Sequence, residues 1–377
     1  MESRPTFAII DTGAIKSNYV WLKKNIAKDA EILAVVKADA YGHGAVETAK
    51  ALERAPAGGG CGCNFFGVAI CEEGIELRKA GIKASIVILG GVYPSQIKDA
   101  VKYDLTPVVF DIETARRINN LSKKTGRHTK VHIKIDTGMG RLGLLPYQVA
   151  PFFHELKGLA NLDIEGILSH FSEADEEDKR FSHKQAGIFL QTIKIVRKIG
   201  FNPRLLHIAN SAAIVGHMNS HFNLVRPGIM LYGAYPAAHM IGKIKLKPAM
   251  RLVSQVVQLK KAPKGFPVSY GRKYITKKDS VIAAIPIGYG DGYPRHLSNN
   301  GQVLIRGQRA RVAGMVCMDI TMVDVTHIKD VSQGDEVVLI GRQGNDEITA
   351  DELAEKAGTI SYEILCGITS RVPRVYV

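Results

Sequence analysis

The 377-residue sequence predicts an α/β protein: a (β/α)8 barrel of the TIM type followed by a second, mostly β domain. Three observations carry this expectation. Between residue 8 and about residue 240, short apolar, β-branched runs alternate steadily with helical patterns, and eight such runs over roughly 230 residues match the count and length of a barrel. Past about residue 243 the alternation gives way to strand-like runs punctuated by glycine and proline. Chemically capable side chains also gather at the carboxyl ends of the expected strands, the face on which such sheets bind ligands. A doubly wound eight-stranded sheet is the rival, and periodicity alone does not separate the two.

A first helix is expected from about Thr12 to Lys28, with Asp11 or Thr12 as its cap. The eight expected strands are Glu31–Val36, Phe65–Ile70, Ser85–Gly90, Thr106–Phe110, Lys130–Ile135, Asp163–Ser169, Arg204–Ile208 and Leu224–Tyr232. Helical patterns separate them at Ala45–Arg54, Glu72–Ala80, Ser95–Tyr103, Ile112–Lys123, Tyr147–Leu159 and Lys179–Ile199. The β domain is expected to hold Met250–Lys260, Ser280–Ile287, Gln302–Ala313, Ile320–Val325 and Glu336–Gly341 as strands, with helices at Ala350–Ala357 and Ser361–Gly367. This places the barrel at residues 8–242 and the β domain at 243–377, with residues 1–7 packed on the latter and Gly242–Lys247 as the hinge.

Composition excludes several classes. An apolar fraction of 46% suffices for a large core, yet no apolar run approaches the ~20 residues a membrane span needs. Met1–Pro5 lacks the basic-then-apolar layout of a signal peptide, which favours the cytoplasm. Cys61, Cys63, Cys71, Cys317 and Cys366 are an odd set for a disulfide framework. Cys61-Gly62-Cys63, in the glycine-rich loop Gly58–Cys63, lacks the further ligands a zinc site needs, so no metal is expected. The net charge of +14 invites a nucleic-acid reading. Its lysines, however, are scattered along helices and interleaved with acids, so a solvated face that attracts anions is the better account.

The most informative stretch is Ala34-Val35-Val36-Lys37-Ala38-Asp39-Ala40-Tyr41-Gly42-His43-Gly44. Lys37 stands at the carboxyl end of the first expected strand, beside a glycine turn. Spacing alone favours a lysine snorkelling to water; a desolvated lysine there would instead have a lowered pKa and an amine free to attack an aldehyde. Other strand ends carry Lys134 and Asp136, followed by Thr137–Gly143 with Arg141, then His170, His207, Asn210 and Ser211, and Arg226 and Gly228. Any one reads as a satisfied rim residue. Their joint occurrence on one face does not.

The Ala34–Gly44 segment closely resembles the cofactor-lysine motif of bacterial alanine racemases, barrel enzymes of fold type III that depend on pyridoxal 5'-phosphate (PLP), and the resemblance covers nearly the whole chain. It implies that Lys37 carries PLP covalently and is one of two catalytic bases. Tyr270, in Ser269-Tyr270-Gly271-Arg272, matches the second base, which in this family reaches into the barrel of a partner subunit; His170 matches its neighbour. Tyr41, Ser211, Gly228, Ile229 and Tyr362 match positions around the cofactor phosphate. Arg226 matches the arginine at the pyridine nitrogen, and His207 its support. Arg141 and Met318 match residues at the substrate carboxylate. Lys134 matches a lysine that orients that arginine and is carbamylated in many members; Tyr289 and Tyr362 match residues that narrow the entrance. The implied function is interconversion of L-alanine and D-alanine by a head-to-tail homodimer, supplying peptidoglycan precursors, without nucleic-acid or membrane partners. A non-catalytic PLP-binding barrel would not need the β domain with Tyr270. A PLP decarboxylase resembling the same barrel class would put a carboxylate where Arg226 stands, and a broader amino-acid racemase stays open.

Overall fold

A computed structural model describes residues 4–53, 62–242 and 244–377. Most of the glycine-rich loop before the second expected strand, with Cys61, lies outside these residues, as does Lys243 of the expected hinge.

The chain opens with strand β1 (Phe7–Ile10) and a helix over Thr12–Asn25. Asp11 caps that helix by accepting the Ala14 amide at 2.8 Å. Eight parallel strands then follow: β2 (Glu31–Val35), β3 (Phe65–Val68), β4 (Ser85–Ile88), β5 (Thr106–Val109), β6 (Thr129–Lys134), β7 (Leu162–Leu168), β8 (Leu205–His207) and β9 (Leu224–Val225). Each pairs with its sequence neighbour from β2 to β8, and β2 also pairs with β9. The ring closes through a parallel bridge between Asn210 and Arg226, with the Arg226 amide donating to the Ala209 carbonyl at 3.0 Å. These strands are buried on both faces, as a helix-covered parallel sheet requires, which is why they read as continuous apolar runs. Closure through the β2–β9 pairing and the Asn210–Arg226 bridge excludes the rival open sheet.

The eighth strand is shorter than its expected span of Leu224–Tyr232. It stops at Val225, and Ile229–Tyr232 forms a 3-10 turn. Pro227 has no amide to offer the ladder, and the Gly228 amide turns away to the Ser211 hydroxyl at 2.9 Å. Elsewhere the elements differ from expectation by a few residues at their ends. Met250–Lys260 divides into Met250–Gln255 and Gln258–Ala262, and Gln302–Ala313 is a hairpin turning at Arg306-Gly307. Both turn residues have positive φ, 52° and 73°, which suits the twist of a two-residue hairpin.

The second sheet has ten strands, all but one from Met250 onward. The exception is β1, which lies between Met250–Gln255 (antiparallel) and Arg374–Tyr376 (parallel). A boundary at residue 8 thus cuts through a strand of the β domain. Asn18 of the first helix pins the connection between domains: its side chain accepts from the Lys247 amide and donates to the Lys247 carbonyl, both at 2.8 Å. Among the described residues no helix is long and apolar enough to cross a membrane, and no group of three His, Cys, Asp or Glu could hold a metal ion.

Candidate active site

β2 delivers Lys37 to the barrel mouth, and the chain then makes an unusual turn. Ala38, Asp39, Ala40 and Tyr41 all have φ between 51 and 54°. A left-handed conformation costs an ordinary residue roughly 1–2 kcal/mol, so the surroundings must hold it. Glu73 accepts the Ala38 amide at 2.6 Å and the Ala69 amide at 2.7 Å. Asp39 accepts the Ala45 amide at 2.8 Å, and buried His43 lies within 3.0 Å of the Ala40 and Tyr41 carbonyls through Nδ1. Lys37 and Tyr41, at the two ends of this turn, both face one cavity.

That cavity, of about 470 Å³, lies at the carboxyl ends of the barrel strands. Its walls include Lys37, Tyr41, Lys134, Arg141, His170, Ser211, Arg226, Gly228 and Tyr362, all singled out from the sequence. Tyr362 comes from the β domain, on the helix Ser361–Gly367, which also contributes Cys366. Ile229 is buried beside Gly228 and does not line the space. At this end of the cavity Tyr41 stacks obliquely between Tyr232 and Tyr362, with ring centroids 5.1 and 5.9 Å away. A Cβ on Gly228 would come within 2.3 Å of the Tyr41 hydroxyl, so only glycine leaves that hydroxyl in place.

Arg226 occupies another part of the wall, almost fully buried. Its Nη2 donates to the Ser169 carbonyl at 2.7 Å and the Ile208 carbonyl at 3.1 Å, and lies 3.1 Å from His170 Nδ1; its Nη1 lies 3.0 Å from His207 Nδ1. Guanidinium only donates, so both histidines accept through Nδ1. Burial, reinforced by the charge of Arg226, holds both imidazoles well below their usual pKa and therefore neutral. The two lysines are also perturbed. Burial, then the positive charge of Arg141, lowers Lys37. Burial, then Arg226 and Arg141, pushes Lys134 down to about 8. Lys134 is not tied to Asp136 as a simple strand-end pair: Asp136 instead accepts the amides of Gly138, Gly140 and Arg141 at 2.8–3.2 Å, shaping the loop that presents Arg141.

Tyr270, Met318 and Tyr289 stand apart from this cavity. They are 72, 53 and 42% exposed on the β domain. Their segments nonetheless meet: the Ser269 hydroxyl donates to the Met315 carbonyl at 2.7 Å, and the Tyr289 amide to the Cys317 carbonyl at 3.0 Å. The chain thus carries two groups of candidate residues, a cationic pocket in the barrel mouth and an exposed tyrosine–methionine surface. Cys366 and Tyr232 were missed from the sequence; both lie on segments that read simply as packing.

Fold and site together define a barrel enzyme built around a desolvated strand-end lysine, with a β domain that supplies part of the wall. Residues 10–236 match the family described as alanine racemase, N-terminal domain, and residues 249–376 match alanine racemase, C-terminal domain. The chain belongs to the alanine racemase family. It is 49% identical to the alanine racemase of Geobacter sulfurreducens, over 100% of this chain and 98% of that one. It is 47% identical to that of Halothermothrix orenii, over 99 and 97%. Among solved structures, an alanine racemase of Clostridium difficile superposes with a TM-score of 0.93 at 39% identity, covering 100% of this chain and 97% of that one. One from Bacillus anthracis with bound L-Ala-P superposes with a TM-score of 0.92 at 37% identity, covering 100 and 96%.

Proposed function

We propose that the chain is a PLP-dependent alanine racemase, interconverting L-alanine and D-alanine with two bases at a site shared by two subunits. The observation that carries this is the cavity itself, with Lys37 in its wall, a braced arginine and a cradle of hydroxyls. The residues present fit the cofactor. Ser211 accepts the Gly228 amide and so keeps its own hydrogen for a phosphate oxygen; Tyr41 and Tyr362 add hydroxyls, and the bare Cα of Gly228 leaves room that a Cβ would fill. Gly228 borders the same end, and Ile229, which does not line the cavity, is set behind it. Arg226 supplies a donor that does not give up its proton, which suits an unprotonated pyridine nitrogen, with His207 in support.

When bound, PLP would supply an electron sink for the pair left when the substrate Cα–H is deprotonated. The chain's own residues do the rest. Lys37, neutral more readily because it is buried, would hold the cofactor and take or return the α-proton on one face. Tyr270 of the partner subunit serves the opposite face, with His170 near it. Arg141 and Met318 hold the substrate carboxylate, Lys134 orients Arg141, and Tyr289 and Tyr362 narrow the entrance to favour a methyl side chain. The exposure of Tyr270, Met318 and Tyr289 on a single chain supports a homodimer in which each subunit completes the other's site. In the cell this activity would supply D-alanine for peptidoglycan precursors in the cytoplasm.

Purified protein incubated with PLP and L-alanine, followed by chiral separation, tests the proposal. D-alanine rising toward an equal mixture is the expected result; alanine that stays wholly L refutes it.

A further inference from the structure

Behind Arg226 the barrel interior holds a chain of polar groups with no role in the proposal so far. His207 Nε2 lies 2.9 Å from His132 Nδ1, and His132 Nε2 lies 3.3 Å from Glu165 Oε2. Both imidazoles are wholly buried and meet edge to face. The other oxygen of Glu165 faces Lys130 and Arg204, each at 3.0 Å and each about half exposed on the outside of the barrel. The chain therefore runs from the cavity wall to the surface.

We infer that Glu165, acting through His132, is a positioning residue for Arg226. This rests on the reading of Arg226 as the group that meets the cofactor ring, and it follows from donor and acceptor capacities. Arg226 can only donate, so His207 accepts at Nδ1 and, being neutral, carries its hydrogen on Nε2. That hydrogen points at His132 Nδ1, which must accept. His132 then carries its own hydrogen on Nε2 and donates to Glu165, which as a carboxylate can only accept. One end is a fixed donor and the other a fixed acceptor, so the chain has a single allowed polarity. Removing Glu165 frees His132 to place its hydrogen on Nδ1, against the Nε2 hydrogen of His207, and the support under Arg226 loosens.

The backbone is built for this contact. The pairing of β6 with β7 shifts register between Val131 and His132, so that Val131 faces Ile164 while His132 faces Gly166. Glu165 is the extra residue of that bulge, a device that re-aims a side chain, and it stays buried. Gly166 then makes room for the ring: a Cβ there would sit 2.9 Å from His132. Lys130 and His132, both on β6, and Arg204, just before β8, surround the carboxylate from two segments.

The test uses the full chain with 15N-labelled histidine rings, first without cofactor. Ring nitrogen shifts, assigned through the spectra of His132→Asn and His207→Asn, should show both residues neutral and protonated at Nε2. His132 protonated at Nδ1 would overturn the inference whatever the enzyme's activity, and wild-type activity tests the functional proposal separately. Two variants of the holoenzyme then read the consequence. Glu165→Gln keeps an acceptor for His132 and should retain the tautomers and most of kcat. Glu165→Leu should mix the His132 tautomers and lower kcat about tenfold with little change in the KM for alanine, the scale at which outer supporting residues act. A folded Glu165→Leu protein with wild-type tautomers and kcat would also overturn it.

Discussion

Substituting Gly228 by alanine tests the cradle proposed for the cofactor phosphate. The new Cβ would lie 2.3 Å from the Tyr41 hydroxyl oxygen and 2.9 Å from Cζ, against 3.4 Å for ordinary contact. Something must move by about 1 Å, a displacement that can cost a site 100-fold. Tyr41 is the group able to give, but it is itself held between Tyr232 and Tyr362 and is 7% exposed. Overpacking of this kind destabilises by about 1–3 kcal/mol, which a chain with so large a core should survive. The expected protein is folded, with near-wild-type circular dichroism and a slightly lower Tm, and binds PLP at least about tenfold more weakly by absorbance titration. The same substitution at Gly187, where a Cβ meets nothing within 4 Å, serves as control. Undiminished PLP affinity in a folded Gly228→Ala protein would refute the cradle.

Arg226→Glu should let the ring nitrogen be protonated and raise side transamination, measured as pyruvate formed per turnover; wild-type partitioning would mean that Arg226 faces elsewhere. Mixing inactive Tyr270→Phe and Lys37→Ala subunits should restore activity, to at most about half per verified heterodimer if the two sites are independent; heterodimers without activity would contradict a shared site. Lys134, lowered to about 8, offers a neutral amine to carbon dioxide near that pH. A carbamate resonance should therefore appear with 13C-bicarbonate and be missing from Lys134→Ala, whereas its absence from wild type means that the amine stays free. For Glu165, burial alone would raise the pKa, but hydrogen bonds from His132, Lys130 and Arg204 hold it down to about 2. Because the folded value lies below the unfolded one, this stabilisation is complete above the unfolded carboxyl's range and disappears as pH falls toward 2. Glu165→Gln should thus be less stable than wild type in urea at pH 7, with the gap narrowing as pH falls below about 4; a gap independent of pH would count against those contacts.

The barrel was legible because its strands are buried on both faces and its helices are amphipathic, so each kept a clear period. Lys37 could be placed at a strand end for the same reason. The left-handed turn that follows left no trace, since Ala38, Ala40 and Tyr41 are not residues that mark positive φ; a tertiary contact from Glu73 and local ones from His43 hold it. The shortened eighth strand was marked by Pro227, but the apolar Ile229–Tyr232 run obscured the break. β1 and Arg374–Tyr376 lie at opposite ends of the chain, and the pairing that makes them strands joins segments no local pattern connects. His132 stands two residues before Lys134 on one strand and so shares its face, a signal available from alternation; Glu165 breaks that rule because it sits at a bulge. Tyr270 and Met318, exposed on the β domain, were reachable only through the family resemblance, because nothing local in their segments distinguishes them from surface residues.

The most direct measurement of the central claim is chemical trapping at the lysine. Protein reconstituted with PLP and treated with borohydride should retain the cofactor through denaturation, and peptide mass mapping should find it on Lys37 alone. Label on Lys134 or any other lysine, or none, would contradict the account.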